Sequence, residues 1–239
     1  MRKLLLAILT IAFCAAGKAQ ADKNNLSVAV DFKSIAGLGR MQTSDAFQSY
    51  KSGAVTGSQF YTDAWCQGAV TTTANETISN YLLLYDKVRQ ELFIRPKDTN
   101  LVIQADKSQV KNFTLIVNNA PHLFVPSSVY TGLPPGCFFE MLVADTNYTL
   151  LKFTRTTFVR ADYIDMLKVR NGEVNDAFVD DITYYVYHNN AIIKMALKEH
   201  AVRKALSGLS PKVDAFLDAH RNNEFSEQLL INLVTALNQ

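Results

Sequence analysis

YLLLYDKVRQELFIRPKDT, residues 81–99, sets two apolar runs around a charged bend. A strand sends successive side chains to opposite faces, so Tyr81, Leu83 and Tyr85 take one side and Leu82 and Leu84 the other. Apolar residues on both sides mean that both faces are covered, as in an interior strand. Asp86 to Gln90 makes the turn, and Leu92 and Ile94 return on one face with Glu91, Phe93 and Arg95 on the other. Pro96 then ends the ladder, because it has no N–H to donate. The spacing predicts a β-hairpin inside a sheet and by itself requires no site.

The same vocabulary extends outward. Residues 53–195 are dense in Val, Ile, Thr, Tyr and Phe, with Gly, Asn, Asp and Pro at short intervals, which argues for an antiparallel, β-rich body. Further strands are expected at 67–73, 101–104, 112–117, 137–143, 149–156 and 182–188. No ten-residue helical pattern separates the early strands, so parallel βαβ crossovers are not expected there. Strand order is not legible, and a curved sheet, a sandwich and a half-barrel all fit.

Past residue 196 the period changes. Val213, Phe216 and Leu217 follow Ser210-Pro211, a capping residue before a helix-starting proline. Leu229, Leu230, Leu233, Val234 and Leu237 form a second stripe behind Ser226, a candidate cap. With residues 198–206 this gives a short C-terminal helical appendage on a mainly β (α+β) fold. Helices this short need the sheet or one another to be stable.

At the other end, MRKLLLAILTIAFCAAGKAQA (1–21) joins a basic start, an apolar run and a small-x-small ending, the pattern of a secretory signal cleaved after Ala21. Phe13 before Cys14 is too bulky for a lipoprotein site. Residues 22–52 form a lead-in in which LSVAVDF (26–32) alternates like a strand. No later segment has the roughly 20 apolar residues of a transmembrane helix, so a soluble, exported chain is expected, in the periplasm or cell envelope. Arg2, Lys3 and Lys18 leave with the leader, which turns the formal charge of +2 to about −1. That balance removes the electrostatic support for nucleic-acid binding.

Cys66 and Cys137 remain after cleavage. Export permits a disulfide between them, stabilising by about 4 kcal/mol in the chain-entropy model; two buried free thiols fit equally.

The chain has no His-Glu-x-x-His, Cys-x-x-Cys, Gly-x-Ser-x-Gly, phosphate-cradling or dinucleotide glycine motif. His122, His188, His200 and His220 share no metal-ligand spacing, and neither a metal nor a cofactor is expected. Glu173, Asp176, Asp180 and Asp181 gather in NGEVNDAFVDD, which lacks the EF-hand pattern and reads as a solvated acidic loop. The triplets at Asn25, Asn75, Asn112 and Asn147 match a glycosylation acceptor that matters only in a eukaryotic secretory route. Tyrosines 81, 85, 184, 185 and 187 suit cross-strand packing and could also line an apolar pocket. Tyr81, Tyr85, Arg95 and Tyr185 are the candidate ligand contacts.

Three segments in order, GSQFYTDAWCQGAV (57–70), the 81–99 hairpin with VKNFTL (110–115), and SPKVDAFLDAHRNNEFSEQLLINLVTALN (210–238), resemble a group of exported proteins of Bacteroidetes-type bacteria. The resemblance implies a β-rich body and an envelope or periplasmic location, and it transfers no catalytic residue. Phe60-Tyr61 and Cys66 depart from the group's pattern. The function expected from these readings is non-enzymatic binding of a small apolar ligand or an envelope partner. Two alternatives stand beside it: an assembly protein docking through its C-terminal helices, and a hydrolase-type enzyme with a site drawn from Asp86, Arg95, Asp98 and His122.

Overall fold

The computed structural model describes residues 38–42, 55–97, 99–161 and 175–239. The leader, the 26–32 segment, Asp98 and Glu173 lie outside the described residues. The strands are β1 (Gly39–Gln42), β2 (Val55–Thr56), β3 (Cys66–Thr72), β4 (Thr77–Asp86), β5 (Glu91–Pro96), β6 (Val102–Ala105), β7 (Val110–Val117), β8 (Ala120–Pro126), β9 (Phe138–Val143), β10 (Thr149–Val159), β11 (Asp176–His188) and β12 (Ala191–Met195). They form one sheet in the order β1-β6-β5-β4-β3-β7-β8-β9-β10-β11-β12. All neighbours on this path are antiparallel; β2 adds a short parallel pairing to β11. The opening hairpin is interior, with β4 between β3 and β5.

Register puts one set of residues on one face. Tyr81, Leu83 and Tyr85 of β4 meet Leu92 and Ile94 of β5, and across β3 the face continues to Phe113 and Leu115 of β7 and Phe124 of β8. These side chains make one buried cluster that also contains Phe138 of β9. From β4 to β9 is four strand steps, about 19 Å in a flat sheet at roughly 4.8 Å per step. The Tyr85 and Phe138 rings are nevertheless 6.0 Å apart. The sheet must therefore curl until this inner face meets itself, as one open, curved sheet.

Curling needs a strand that lets a neighbour come close. A Cβ on Gly68 would sit 2.2 Å from the Thr114 carbonyl oxygen and 2.5 Å from a Leu83 methyl, at an irregularity in β3 where the register shifts. Gly68→Ala is expected to cost about 2 kcal/mol through overpacking, read as a lower urea midpoint with an unchanged slope.

Three helices, α1 (Glu199–Leu206), α2 (Lys212–Ala219) and α3 (Glu227–Leu237), cover the other end of the inner face. Val202, Leu206, Val213, Leu217 and the leucine stripe of α3 pack on Tyr148, Leu150, Tyr184, Val186 and Met195. The Ser226 hydroxyl caps α3 by accepting from Leu229 N–H. Asn238 fastens the end of α3 to Tyr148, the residue before β10, accepting from its N–H and donating to its carbonyl, both at 2.9 Å. No helix among the described residues is long and apolar enough to cross a membrane.

Four strands and one loop differ from expectation, the short β1 and β2 lying outside every expected strand. β8, APHLFVP, has prolines near both ends, which weakens a strand pattern; the Asn118-Asn119 pair before it, both at positive φ, forms the two-residue hairpin loop that starts it. Asn189-Asn190 does the same for β12. The expected acidic loop is strand from Asp176 onward: Asp180 takes the Lys87 ammonium at 2.8 and 2.9 Å and the Thr156 hydroxyl, and Asp176 accepts from the Ala161 N–H.

Candidate functional site

The expected ligand contacts do not share one place. Tyr85 is in the core and its hydroxyl donates to Gln90 Oε1 at 2.6 Å. Tyr81 belongs to the same cluster and borders a shallow hollow of about 250 Å³ with Asn80 and Lys97. Arg95 pairs with Leu82 on the outer face and lies over the Trp65 ring, 4.7 Å from its centre. Tyr185 is also on the outer face, but far along the sheet in β11. Asp86 is buried and spends its carboxylate on the turn, accepting from the Val88 and Arg89 N–H groups. His122 faces inward opposite Leu115, so Arg95 and His122 stand on opposite faces. Cys66 and Cys137 are free thiols, and burial pushes both up from the usual thiol range.

Around Tyr185 the outer face carries a cleft of about 320 Å³. Phe153 and Tyr185 make its floor, and Pro134 and Cys137 stand on one side. The turn residues Lys87, Val88 and Gln90 border another side, because the β4–β5 hairpin reaches β10, where Gln90 donates to the Thr154 carbonyl. Arg155, Asp181 and Lys194 complete the rim. Lys87 is already paired with Asp180. Arg155 and Lys194 make no ion pair with a described residue, and the Tyr185 hydroxyl makes no hydrogen bond with one. An aromatic floor with a phenol and two exposed cations that make no polar pair among the described residues can bind and orient a ligand bearing negative charge.

On the inner face a polar chain crosses the seam between the aromatic cluster and the helix-covered cluster. Glu140 of β9 and Lys152 of β10 are directly opposed in register, as are Lys152 and Tyr184 of β11. His122 Nδ1 lies 2.7 Å from Glu140 Oε1 and 3.0 Å from the Tyr61 hydroxyl. The carboxylate therefore selects the tautomer in which Nδ1–H donates to it. Lys152 Nζ stands 2.8 Å from Glu227 Oε2 and 3.7 Å from Glu140 Oε2, and the Tyr184 hydroxyl donates to Glu227 at 2.6 Å. Burial and the nearby carboxylates push the Tyr61 and Tyr184 phenols above their ordinary range. Burial pushes Glu227 up, yet the Lys152 ammonium and the Tyr184 hydroxyl outweigh it and hold the carboxyl below its usual 4.5. Every charge in this chain already has a partner, so it works as a clasp between the helices and the sheet.

The chain matches no family model, no curated protein and no solved structure.

Proposed function

We propose that the protein is an exported binding protein of the cell envelope that engages a partner at the outer cleft. The observation that carries this is the cleft itself, where the buried Tyr185 and Phe153 rings form a floor beside the exposed cations Arg155 and Lys194, which make no ion pair with a described residue. The aromatic end of the inner face, around Tyr85, is filled, because Tyr85 packs on Tyr61, Phe113, Phe124 and Phe138. The leader pattern and the resemblance to exported envelope proteins support the location. A photo-crosslinking residue at Thr183, in the cleft wall, and a control at Glu76, in an exposed turn, test the reading in the native host. The expected result is a discrete adduct from position 183, formed in the envelope fraction and missing at position 76. No adduct at 183, or the same adducts at both, would overturn it.

A further inference from the structure

Beside the cleft, β11 has a stretch of backbone edge that no described strand pairs with. One edge of β11 is fully paired with β10. On the other edge β2 pairs only with Asp176 and Ala177, and β12 only with Tyr184 to His188. Gly57 closes on the Phe178 carbonyl, which a Cβ there would approach to 2.4 Å. Between these neighbours, Val179 to Thr183 has no described strand beside it. Val179 is 51% and Ile182 42% exposed, although both belong to an eleven-residue ladder with β10. An unpaired row of N–H and C=O groups is a template for another strand, and natural proteins usually cover or blunt it.

The slot lies between two depressions. The cleft is on the outer side; on the inner side, under α1, is a groove of about 800 Å³ lined by Ile182, Ile193, Met195, Ala201 and Ala205. The two meet at Asp181, Thr183 and Lys194, which border both. A strand added here would send alternate side chains into each. The inner positions would meet aliphatic side chains. The outer positions would meet Arg155 and Lys194, while His200 and Lys204 stand in the inner groove beside its aliphatic side chains. Arg155, Lys194 and Lys204 make no ion pair with a described residue, and Asp181 is the single carboxylate lining either depression.

We propose that this slot binds an extended segment of a partner protein, alternating apolar and acidic residues, which adds as a strand to β11 between β2 and β12. Backbone pairing would supply affinity, and the two depressions specificity. This rests on the reading that the outer cleft is the partner site. The slot is five residues long, about 17 Å, so a short linear segment fills it.

The test uses the purified chain and two labelled seven-residue peptides, one alternating Val with Glu and one alternating Val with Lys, followed by fluorescence anisotropy and by amide hydrogen exchange. The Glu peptide is expected to bind at least tenfold tighter than the Lys peptide and to slow exchange at residues 179–183. Arg155→Glu with Lys194→Glu should weaken it tenfold or more at an unchanged melting temperature, and Asp181→Asn should tighten it. Equal binding of the two peptides, or binding without protection at 179–183, would overturn the proposal. If the Glu peptide fails while the crosslink at position 183 persists, strand addition is wrong and the cleft reading stands; if both fail, the reading itself falls.

Discussion

Replacing Lys152 with alanine should destabilise the fold by about 3–5 kcal/mol, the usual loss when one partner of a buried ionic group is removed. Glu140 is 5% exposed and its Oε2 has no hydrogen-bond partner, so the Lys152 ammonium at 3.7 Å is the charge that offsets this oxygen's burial. The same ammonium holds Glu227 at the first turn of α3, so the substitution also loosens the helix from the sheet. Glu227→Gln should cost less, because Glu227 is partly solvated and the Tyr184 hydroxyl keeps an acceptor. Urea unfolding separates the two. The pH dependence has a definite sign: a carboxyl lowered in the folded state stabilises above its unfolded value, and that contribution is lost as pH falls through the lowered one. In Lys152→Ala the ammonium that lowers Glu227 is gone, so the part of the acid limb owed to this carboxyl should flatten and the loss relative to the parent should shrink as pH falls. Glu140→Gln with Lys152→Met should recover most of the loss, since a buried pair can be exchanged for neutral groups of similar size at little cost. A Lys152→Ala loss below about 1 kcal/mol would mean that water reaches Glu140 and the clasp is a surface pair.

The sheet was legible in the sequence where alternation was strong and turns were short. Tyr81 to Pro96 gave its hairpin, its interior position and its terminating proline directly, because those features are local. The curl was not legible, since it follows from contacts such as Tyr85 with Phe138, more than fifty residues apart in the chain. The tyrosines misled for a related reason: one residue type serves the core at 81 and 85 and the cleft at 185, and only register tells the faces apart. The clasp did leave a signal. Glu140 in FFEMLV and Lys152 in TLLKFT are single charges at positions their apolar neighbours mark as buried, and two such violations of pattern are a reason to expect that they meet. The Val179–Thr183 slot left no such signal, because an edge with no described strand beside it depends on where distant strands end, not on the pattern of its own residues.

Gln90→Met should cost about 3–5 kcal/mol, as a buried hydrogen-bonding hub is lost without change of volume. Gln90 sits in the β4–β5 turn at a φ of 59° and is 8% exposed. Its Oε1 accepts from the Tyr85 hydroxyl at 2.6 Å and from the Phe138 N–H at 3.1 Å; its Nε2 donates to the Lys87 carbonyl at 2.7 Å and to the Thr154 carbonyl at 3.4 Å. One side chain thus ties the hairpin of β4 and β5 to the start of β9 and the edge of β10, across the gap that the curl closes. Methionine keeps the bulk and the backbone strain while stranding a buried phenol and a buried N–H, each worth about 1–3 kcal/mol when unpaired. The substitution should be felt at the cleft as well, since Gln90 borders it, so affinity for a cleft partner should fall with stability. Tyr85→Phe removes one of the two stranded groups, and the double variant should therefore be more stable than the sum of the single losses by about 1–2 kcal/mol. Strict additivity would mean that the phenol finds water in the Gln90→Met chain, and that the curl is held by the Tyr85, Phe113, Phe124 and Phe138 rings without the polar closure.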